Sequence, residues 1–305
     1  MPENPEPRPN PMHRSQGAIS RLAFALLAIC LTPALAPPVS AGGDAPLILA
    51  TTTSVRDSGL LDALLPRFTR QTGIAVQVIA VGTGAALRMG REGNADVLVT
   101  HAPGAERILV MEGIATRRTP FMENHFVIAG PPDDPADVAD AKSPADALVR
   151  IDQKASPWVS RADDSGTHKR EKSLFRSAGL DPDADRPGLI RTGAGMGLSL
   201  QVAGERRAYI LSDIGTFLAF KDRVGLVVLS KPDPSLRNVY SILQLDPTRF
   251  ETGIQSEKAE AFERFLLSPE TQAQIGRHGL ERFGRPLFKP LHLPRPSSGL
   301  SGNAR

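Results

Sequence analysis

Three short segments rich in hydroxyl groups and glycine have the residue types needed to bind a small anion. They are residues 51–54 (TTTS), 82–84 (GTG) and 160–167, which include Arg161. Each follows a β-branched run and precedes a stretch with helical periodicity, which predicts a turn from a strand end into a helix. Unpaired N–H groups at helix starts, hydroxyl groups and one arginine are all hydrogen-bond donors. Together they predict an oxyanion site, although each segment alone is more typical of ordinary caps and turns.

Other chemistries find less support in the sequence. The GTG segment lacks the lysine of a phosphate-binding loop, and no G-x-S-x-G motif is present. His101, His125, His168 and His278 lack metal-ligand spacing, so surface or capping roles are expected for them. Asp57 and Asp164 each begin an Asp-Ser-Gly sequence similar to that of aspartic proteases, but both precede helical periodicity instead of β-rich sequence. An exported hydrolase that uses these carboxylates, or a serine, stays an alternative.

The composition indicates a globular protein. Of 305 residues, 41% are hydrophobic and 23% are charged, enough apolar sequence to bury one large or two ordinary cores. The net charge of +3 is spread along the chain, so no basic stripe for nucleic acid or membrane is present. A single cysteine, Cys30, excludes an intramolecular disulfide framework and cysteine-based zinc or iron–sulfur sites.

The first 41 residues are typical of a secretory signal peptide. Arg14 and Arg21 precede an apolar run over residues 22–36, and small residues follow it up to Ala41, after which we expect cleavage. The run is short for a transmembrane helix. Met12 is an alternative start, and lipidation at Cys30 is an alternative that the bulky Ile29 disfavours. The sequence therefore predicts an exported, periplasmic protein.

Beyond the leader, strands alternate with helices, which predicts an α/β fold with largely parallel sheets. Residues 125–135 and 238–245 are expected to be strands that cross between two lobes, and Trp158 is expected in the core. Ser54 and Asp57 are candidate caps of the first long helix, and residues 286–305 are expected to form a flexible tail. Further strands are predicted at 46–54, 74–82, 95–102, 157–161, 208–213 and 224–230, and helices at 60–73, 83–93, 165–178, 196–207, 214–220 and 256–277.

Taken in order, several long segments resemble the tungstate-binding periplasmic proteins of ABC-type uptake systems. The resemblance covers most of residues 47–245, in the segments TTTSVRDSGLLDALLPRFTRQTGIAVQVIAVGTGAAL, ADVLVTHAPGAE, VSRADDSGTHKRE, RTGAGMG and AYILSDIGTFL. It implies a class II periplasmic binding protein with lobes at 46–126 plus 239–285 and at 127–238, and a cleft between them. It also implies a monomeric carrier without cofactor or enzymatic activity, whose partners are a membrane permease and its ATPase.

The resemblance also implies which residues bind the anion. They are Thr51, Thr52, Thr53, Ser54, Thr83, Arg161, Ser165, Gly166 and Thr167, with Gly195 of a glycine-rich turn as a weaker candidate. The sequence departs from the family at residues 123–125, where a tyrosine and an acidic residue are usual, and at Ile214, where an arginine is usual. We expect these positions near the hinge or the rim of the cleft.

Several ligands remain open at this point. Tungstate and molybdate are tetrahedral dianions that only accept hydrogen bonds, whereas hydrogen phosphate also needs an acceptor for its proton. If Asp163 or Asp164 faces the cleft, phosphate is favoured, and if they pair with Arg161 they orient that donor instead. Phosphate, molybdate and sulfate carriers therefore stay alternatives, as does a sensor lobe that reports ligand binding to a membrane partner.

Overall fold

The computed structural model describes residues 45–251 and 253–293. The predicted signal peptide, Cys30 and residues 294–305 lie outside this range. Ten strands are found in it, connected in one mixed sheet with the order β2-β1-β3-β9-β4-β7-β5-β6, while β8 and β10 pair with β4. The strands are β1 (Leu47–Thr52), β2 (Val76–Val81), β3 (Val97–Thr100), β4 (Ala115–Gly130), β5 (Trp158–Ser160), β6 (Leu189–Arg191), β7 (Tyr209–Asp213), β8 (Val227–Val228), β9 (Arg237–Leu245) and β10 (Lys289–Pro290).

Helices cover the faces of the sheet, which confirms the predicted α/β fold. The described residues contain α1 (Thr53–Asp57), α2 (Leu60–Thr72), α3 (Thr83–Arg91), α4 (Pro103–Met111), α5 (Pro144–Gln153), α6 (Gly166–Ser177), α7 (Met196–Glu205), α8 (Ile214–Val224), α9 (Ser256–Leu267), α10 (Pro269–Arg277) and α11 (Leu280–Phe283). Within this range, none of them combines the length and the apolar character that a membrane crossing requires.

The strands form two groups that share β4. In the first strand group β1 pairs in parallel with β2 and β3, and the antiparallel β9 joins β3 to the first part of β4. In the second strand group β5 pairs in parallel with β6 and β7, and β7 pairs antiparallel with Phe126–Ala129 of β4. The parallel pairs thus lie in the outer strands, and the long antiparallel pair of β4 and β9 connects the groups.

Each strand group has its own apolar core. Periodic apolar residues of α2 and α9 pack on the first group, where Phe68 meets Phe262 edge to face with ring centroids 5.2 Å apart. Trp158 of β5 is buried as predicted, and it packs against Phe175 of α6. A further cluster, which includes Leu200, lies beneath α7 and α8. Burial of these apolar helix faces holds the helices on the sheet, and it thereby positions the strand-to-helix turns at the edge of the sheet.

Some predicted elements differ from the structure. Helix α4 and the first part of β4 were missed, and the predicted helix at 256–277 is two helices because Pro269 follows Ser268, which caps α10. Neither Ser54 nor Asp57 caps α2, whose N-cap is Gly59. The expected tail at 286–305 begins too early, since Leu287 and Phe288 are buried and β10 pairs with β4.

Candidate functional site

The three anion-binding turns predicted from the sequence meet at one place. The turn at 51–54 follows β1, Thr83 begins α3 after β2, and residues 160–167 connect β5 to α6. The main-chain N–H of Gly166 donates to Thr83 Oγ1 at 3.0 Å, which links the second and third turns directly. The first turn joins them through His101, which contacts Ser54 and lies beside Gly166. Donors from both strand groups therefore surround one space.

The four residues of the first turn have different surroundings. Thr51 is fully buried, and its hydroxyl donates to the carbonyl oxygen of Val99 at 2.8 Å. This hydrogen bond joins β1 to β3 and uses the hydroxyl proton. The hydroxyl oxygens of Thr52 and Ser54 lie 3.0 Å apart, and both residues are buried. Thr53 is half-buried at the start of α1. Thr52 and Ser54 thus form a hydroxyl pair beside His101, whereas Thr51 supports the strand.

Arg161 supplies the charge of the site and is only 4% exposed. Its Nη2 pairs with Asp163 Oδ2 at 2.5 Å, its Nε donates to the carbonyl oxygen of Ala194 at 3.3 Å, and its Nη1 lies 3.5 Å from Thr167 Oγ1. The other oxygen of Asp163 accepts from the N–H of Ser165 at 3.2 Å. Asp163 therefore orients the guanidinium group and the turn, the second of the two arrangements considered from the sequence.

Helix α6 begins within the site. The Ser165 hydroxyl caps the helix by accepting from the N–H of His168 at 3.2 Å, and Gly166 and Thr167 are buried in the first turn. A Cβ atom on Gly166 would lie 2.7 Å from Cε1 of His101, so only glycine fits this close approach. Gly195, the N-cap of α7, follows Ala194 and faces open space. Gly195, the weaker candidate for anion binding, thus lies next to Ala194, whose carbonyl oxygen accepts from Arg161 Nε.

His101 lies among the residues of the three turns, although the sequence predicted no role for it there. A surface or capping role was expected, and this was wrong, because the side chain is buried at the end of β3 with 5% exposed. Its Nδ1 lies 2.9 Å from Asn238 Oδ1, its Nε2 lies 3.3 Å from Ser54 Oγ, and its ring packs on Tyr240. Burial lowers the pKa of His101 to about 4, so the ring is neutral. A usable signal existed, since His101 follows a strand as the other site residues do.

Two buried carboxyl groups lie behind Arg161. Glu171 accepts from Trp158 Nε1 at 3.3 Å and also hydrogen-bonds with Ser160 and the backbone of Arg161. Burial raises the pKa of Glu171 to about 7. Asp213 caps α8 by accepting from the N–H of Thr216 at 2.9 Å, and burial raises its pKa as well. Glu171 thus holds the end of β5 and the start of the 160–167 turn, and Asp213 holds the start of α8.

The positions that depart from the family lie where β4 passes between the strand groups. Asn124 Oδ1 accepts from Asn238 Nδ2 at 2.8 Å, which connects β4 to His101. Glu123 pairs with two cations of β9 and β10. Glu123, His125 and Ile214 line a cavity of about 1310 Å³. These positions thus lie beside β4, and their place at a hinge or a cleft rim stays a prediction.

The structure gives no support to the hydrolase alternative. Asp57 pairs with the adjacent Arg56, and Asp164 pairs with Lys169, so each carboxylate is bound to its own cation on an exposed surface. Across residues 45–251 and 253–293, no group of three histidine, cysteine or acidic side chains is placed to hold a metal ion. The hydrogen-bond donors of the three turns and the guanidinium group of Arg161 are instead groups that suit an anion.

Comparisons with known proteins show the family of the chain. The PBP superfamily domain matches residues 38–270. The tungstate-binding protein TupA of Peptoclostridium acidaminophilum is 44% identical over 80% of this chain and 85% of its own. The tungstate-binding protein TupA from Desulfovibrio alaskensis G20 is 39% identical, with a TM-score of 0.69 over 81% of this chain and all of that chain. The structure of the tungstate ABC transporter from Geobacter sulfurreducens is 41% identical, with a TM-score of 0.67 over 74% of this chain and 95% of that chain. The chain therefore belongs to the PBP superfamily, and within it to the family of the tungstate-binding proteins.

Proposed function

We propose that this protein is a solute-binding protein that captures tungstate for an ABC-type uptake system and is not an enzyme. The observation that carries the proposal is the meeting of three donor-rich turns around buried Arg161. The family of the chain supports the same ligand, since its relatives are named for tungstate. Capture and release require binding without bond cleavage, and the turns supply donors for that task.

The donors suit a tetrahedral dianion. The oxygens of tungstate accept hydrogen bonds and carry no proton at neutral pH, so hydroxyl groups, N–H groups and a guanidinium group match them. Both oxygens of Asp163 are already occupied, by Arg161 and by the N–H of Ser165. Asp163 thus uses one acceptor position on each oxygen to hold Arg161 and the turn, which leaves it less available to the proton of hydrogen phosphate. Hydrogen bonds to a charged group contribute about 1.5–3 kcal/mol each, so several of them give tight binding.

Binding should draw two lobes together. We assign residues 46–126 plus 239–285 to one lobe and 127–238 to the other, because β4 changes its partner from β9 to β7 near Phe126. Thr52, Ser54 and Thr83 belong to the first lobe, and Arg161 and the start of α6 belong to the second. An oxyanion held by both sets of donors stabilises the closed arrangement.

The proposed partners follow from the same function. The N-terminal 41 residues would direct export, so that the mature chain collects the oxyanion in the periplasm. A membrane permease, driven by its ATPase subunit, would then receive the ligand. We assign the carrier a monomeric state, in which one chain supplies both lobes of the site.

Isothermal titration calorimetry of the purified protein tests the ligand. Tungstate, molybdate, sulfate and phosphate are titrated separately in one buffer that contains none of them. We expect tight one-to-one binding of tungstate, weaker binding of molybdate and no measurable binding of sulfate or phosphate. A preference for phosphate would overturn the proposed ligand, and no binding of any oxyanion would overturn the proposed function.

A further inference from the structure

His101 occupies a position between both strand groups that the proposed donor set does not use. Its ring lies at the end of β3, with Ser54 on one edge and Gly166 of α6 beside Cε1. Arg161 lies close enough to act on the charge of the ring. His101 therefore lies against two of the three turns that supply the proposed donors.

The hydrogen-bond network fixes which nitrogen of His101 carries the proton. The amide nitrogen of Asn238 donates to Asn124 Oδ1 at 2.8 Å and to the Tyr240 hydroxyl oxygen at 3.0 Å. Asn238 therefore presents its oxygen to His101 Nδ1 at 2.9 Å, and that nitrogen must be the donor. The lone pair of the neutral ring then lies on Nε2, which accepts from the Ser54 hydroxyl at 3.3 Å. The Ser54 hydroxyl is thus turned toward His101.

The charges around the site leave a dianion incompletely compensated. Arg161 is the buried cation of the turns, and it already pairs with Asp163 at 2.5 Å. The charged groups that act on His101 are Arg161 and Arg170, and both disfavour a positive ring. From β9 the ring meets only the neutral Asn238 and Tyr240, while Asp213 lies beyond Tyr240. The two negative charges of the dianion, placed between His101 and Arg161, favour the protonated form of the His101 ring instead.

We propose that His101 binds the oxyanion as an imidazolium donor and takes up one proton from solvent when tungstate enters. The proton bonds to Nε2, and Nδ1 keeps its hydrogen bond to Asn238. The Ser54 hydroxyl no longer donates to Nε2 and turns to an oxygen of the ligand. His101 and Ser54 then both donate, and the ring adds a second positive charge. A ligand that itself carries a proton meets a donor at this position, which favours fully deprotonated oxyanions.

The inference rests on the proposed tungstate-binding function, and proton linkage tests it separately. Tungstate is titrated calorimetrically into the wild-type protein at pH 6.5 in several phosphate-free buffers with different enthalpies of ionisation. The dependence of the observed heat on that enthalpy gives the number of protons taken up. We expect close to one proton per tungstate, and an affinity that rises up to tenfold for each unit by which the pH falls between 7.5 and 6.5.

Two variants assign the proton to a residue. His101→Gln keeps an acceptor near the Nε2 position but cannot become charged, so it should bind more weakly, with no proton uptake and a flat pH profile. His278→Gln is the matched control, because His278 is a half-buried histidine that lies outside the three turns and contacts the carbonyl oxygen of Ser58. That variant should keep the uptake of the wild type.

The outcomes separate the inference from the function on which it rests. Tight tungstate binding by the wild type without proton uptake would overturn the role of His101 and leave the carrier function intact. Uptake that persists in His101→Gln would assign the proton to another group, of which buried Glu171 is the first candidate, and would also overturn the inference. Absence of tungstate binding by the wild type would instead overturn the proposed function itself.

Discussion

The N–H of Gly166 donates to Thr83 Oγ1 at 3.0 Å, and this bond joins the first turn of α6 to that of α3. Helix α3 follows β2 of the first strand group, and α6 follows β5 of the second. The hydroxyl proton of Thr83 is not used by this bond. Thr83 can therefore hold the two strand groups together and still donate to a ligand.

Removal of this hydroxyl should weaken ligand binding. Thr83→Ala leaves the N–H of Gly166 without its partner and removes one donor to the dianion, so the affinity for tungstate should fall about tenfold or more. Thr83→Ser keeps the hydroxyl and should remain within about threefold of the wild type. Calorimetric titration of both variants measures the difference, and equal losses would show that the methyl group, not the hydroxyl, matters.

The close approach at Gly166 should not tolerate a side chain. A Cβ atom there would lie 2.7 Å from Cε1 and 2.9 Å from Nδ1 of His101, whose ring is held by Asn238. Gly166→Ala should therefore reduce tungstate affinity at least tenfold. Gly104→Ala is the control, since Gly104 lies in α4 with open space around its Cβ position. Unchanged affinity in Gly166→Ala would mean that the two strand groups do not approach this closely when the ligand is bound.

Arg161 should contribute most to affinity. Arg161→Ala removes the buried cation and the donors to Ala194 and Thr167, so binding should weaken at least tenfold. Arg161→Lys keeps the charge but not the forked geometry, so its affinity for tungstate should lie between those of the wild type and Arg161→Ala. Arg264→Ala, in an exposed pair on α9, should bind as the wild type does. Wild-type affinity in Arg161→Ala would remove Arg161 from the site.

Glu106 should matter for stability. It is fully buried, it accepts from Thr100 Oγ1 at 2.8 Å and from the N–H of Ala102 at 2.7 Å, and it pairs with Arg118 at 2.6 Å. Glu106→Ala leaves these donors unpaired and should lower the free energy of unfolding by about 3–5 kcal/mol. Urea denaturation measures the loss.

The control for Glu106 is the exposed acidic residue Glu260, which lies 3.6 Å from Arg264. Glu260→Ala should change the free energy of unfolding by less than about 1 kcal/mol, because solvent screens exposed pairs. Similar losses in both variants would show that burial does not strengthen the Glu106 network.

Stability should depend on pH through Glu171. Burial raises the pKa of its carboxyl group from 4.5 to about 7 in the folded chain, so the folded state holds a proton that the unfolded state releases. This contribution is complete below pH 4.5 and is lost as the pH rises to about 7. Between pH 5 and 7.5 the wild type should lose up to about 3 kcal/mol relative to Glu171→Gln, which stays neutral. Parallel pH profiles of unfolding for the two proteins would contradict this shift.

Short-range patterns along the chain predicted the local elements and the donor types of the site. Periodicity placed α2 and α6, Gly73 ends α2 in the left-handed conformation that favours glycine, and Ser165 caps α6. Strand ends followed by hydroxyl groups and glycine predicted three anion-binding turns. These signals depend on residues that are near one another in the chain, so they can be recognised without knowledge of the fold.

The side chains that lie between those turns are known from the three-dimensional fold alone. His101 meets Asn238, 137 residues further along the chain, because β9 inserts between β3 and β4. Asp163 pairs with Arg161 and with the N–H of Ser165, and Leu287 and Phe288 are buried in the core although their segment resembles a tail. Strand insertion and packing over such separations depend on the burial of whole faces, which local periodicity does not encode. The tautomer and charge of His101 follow from that packing.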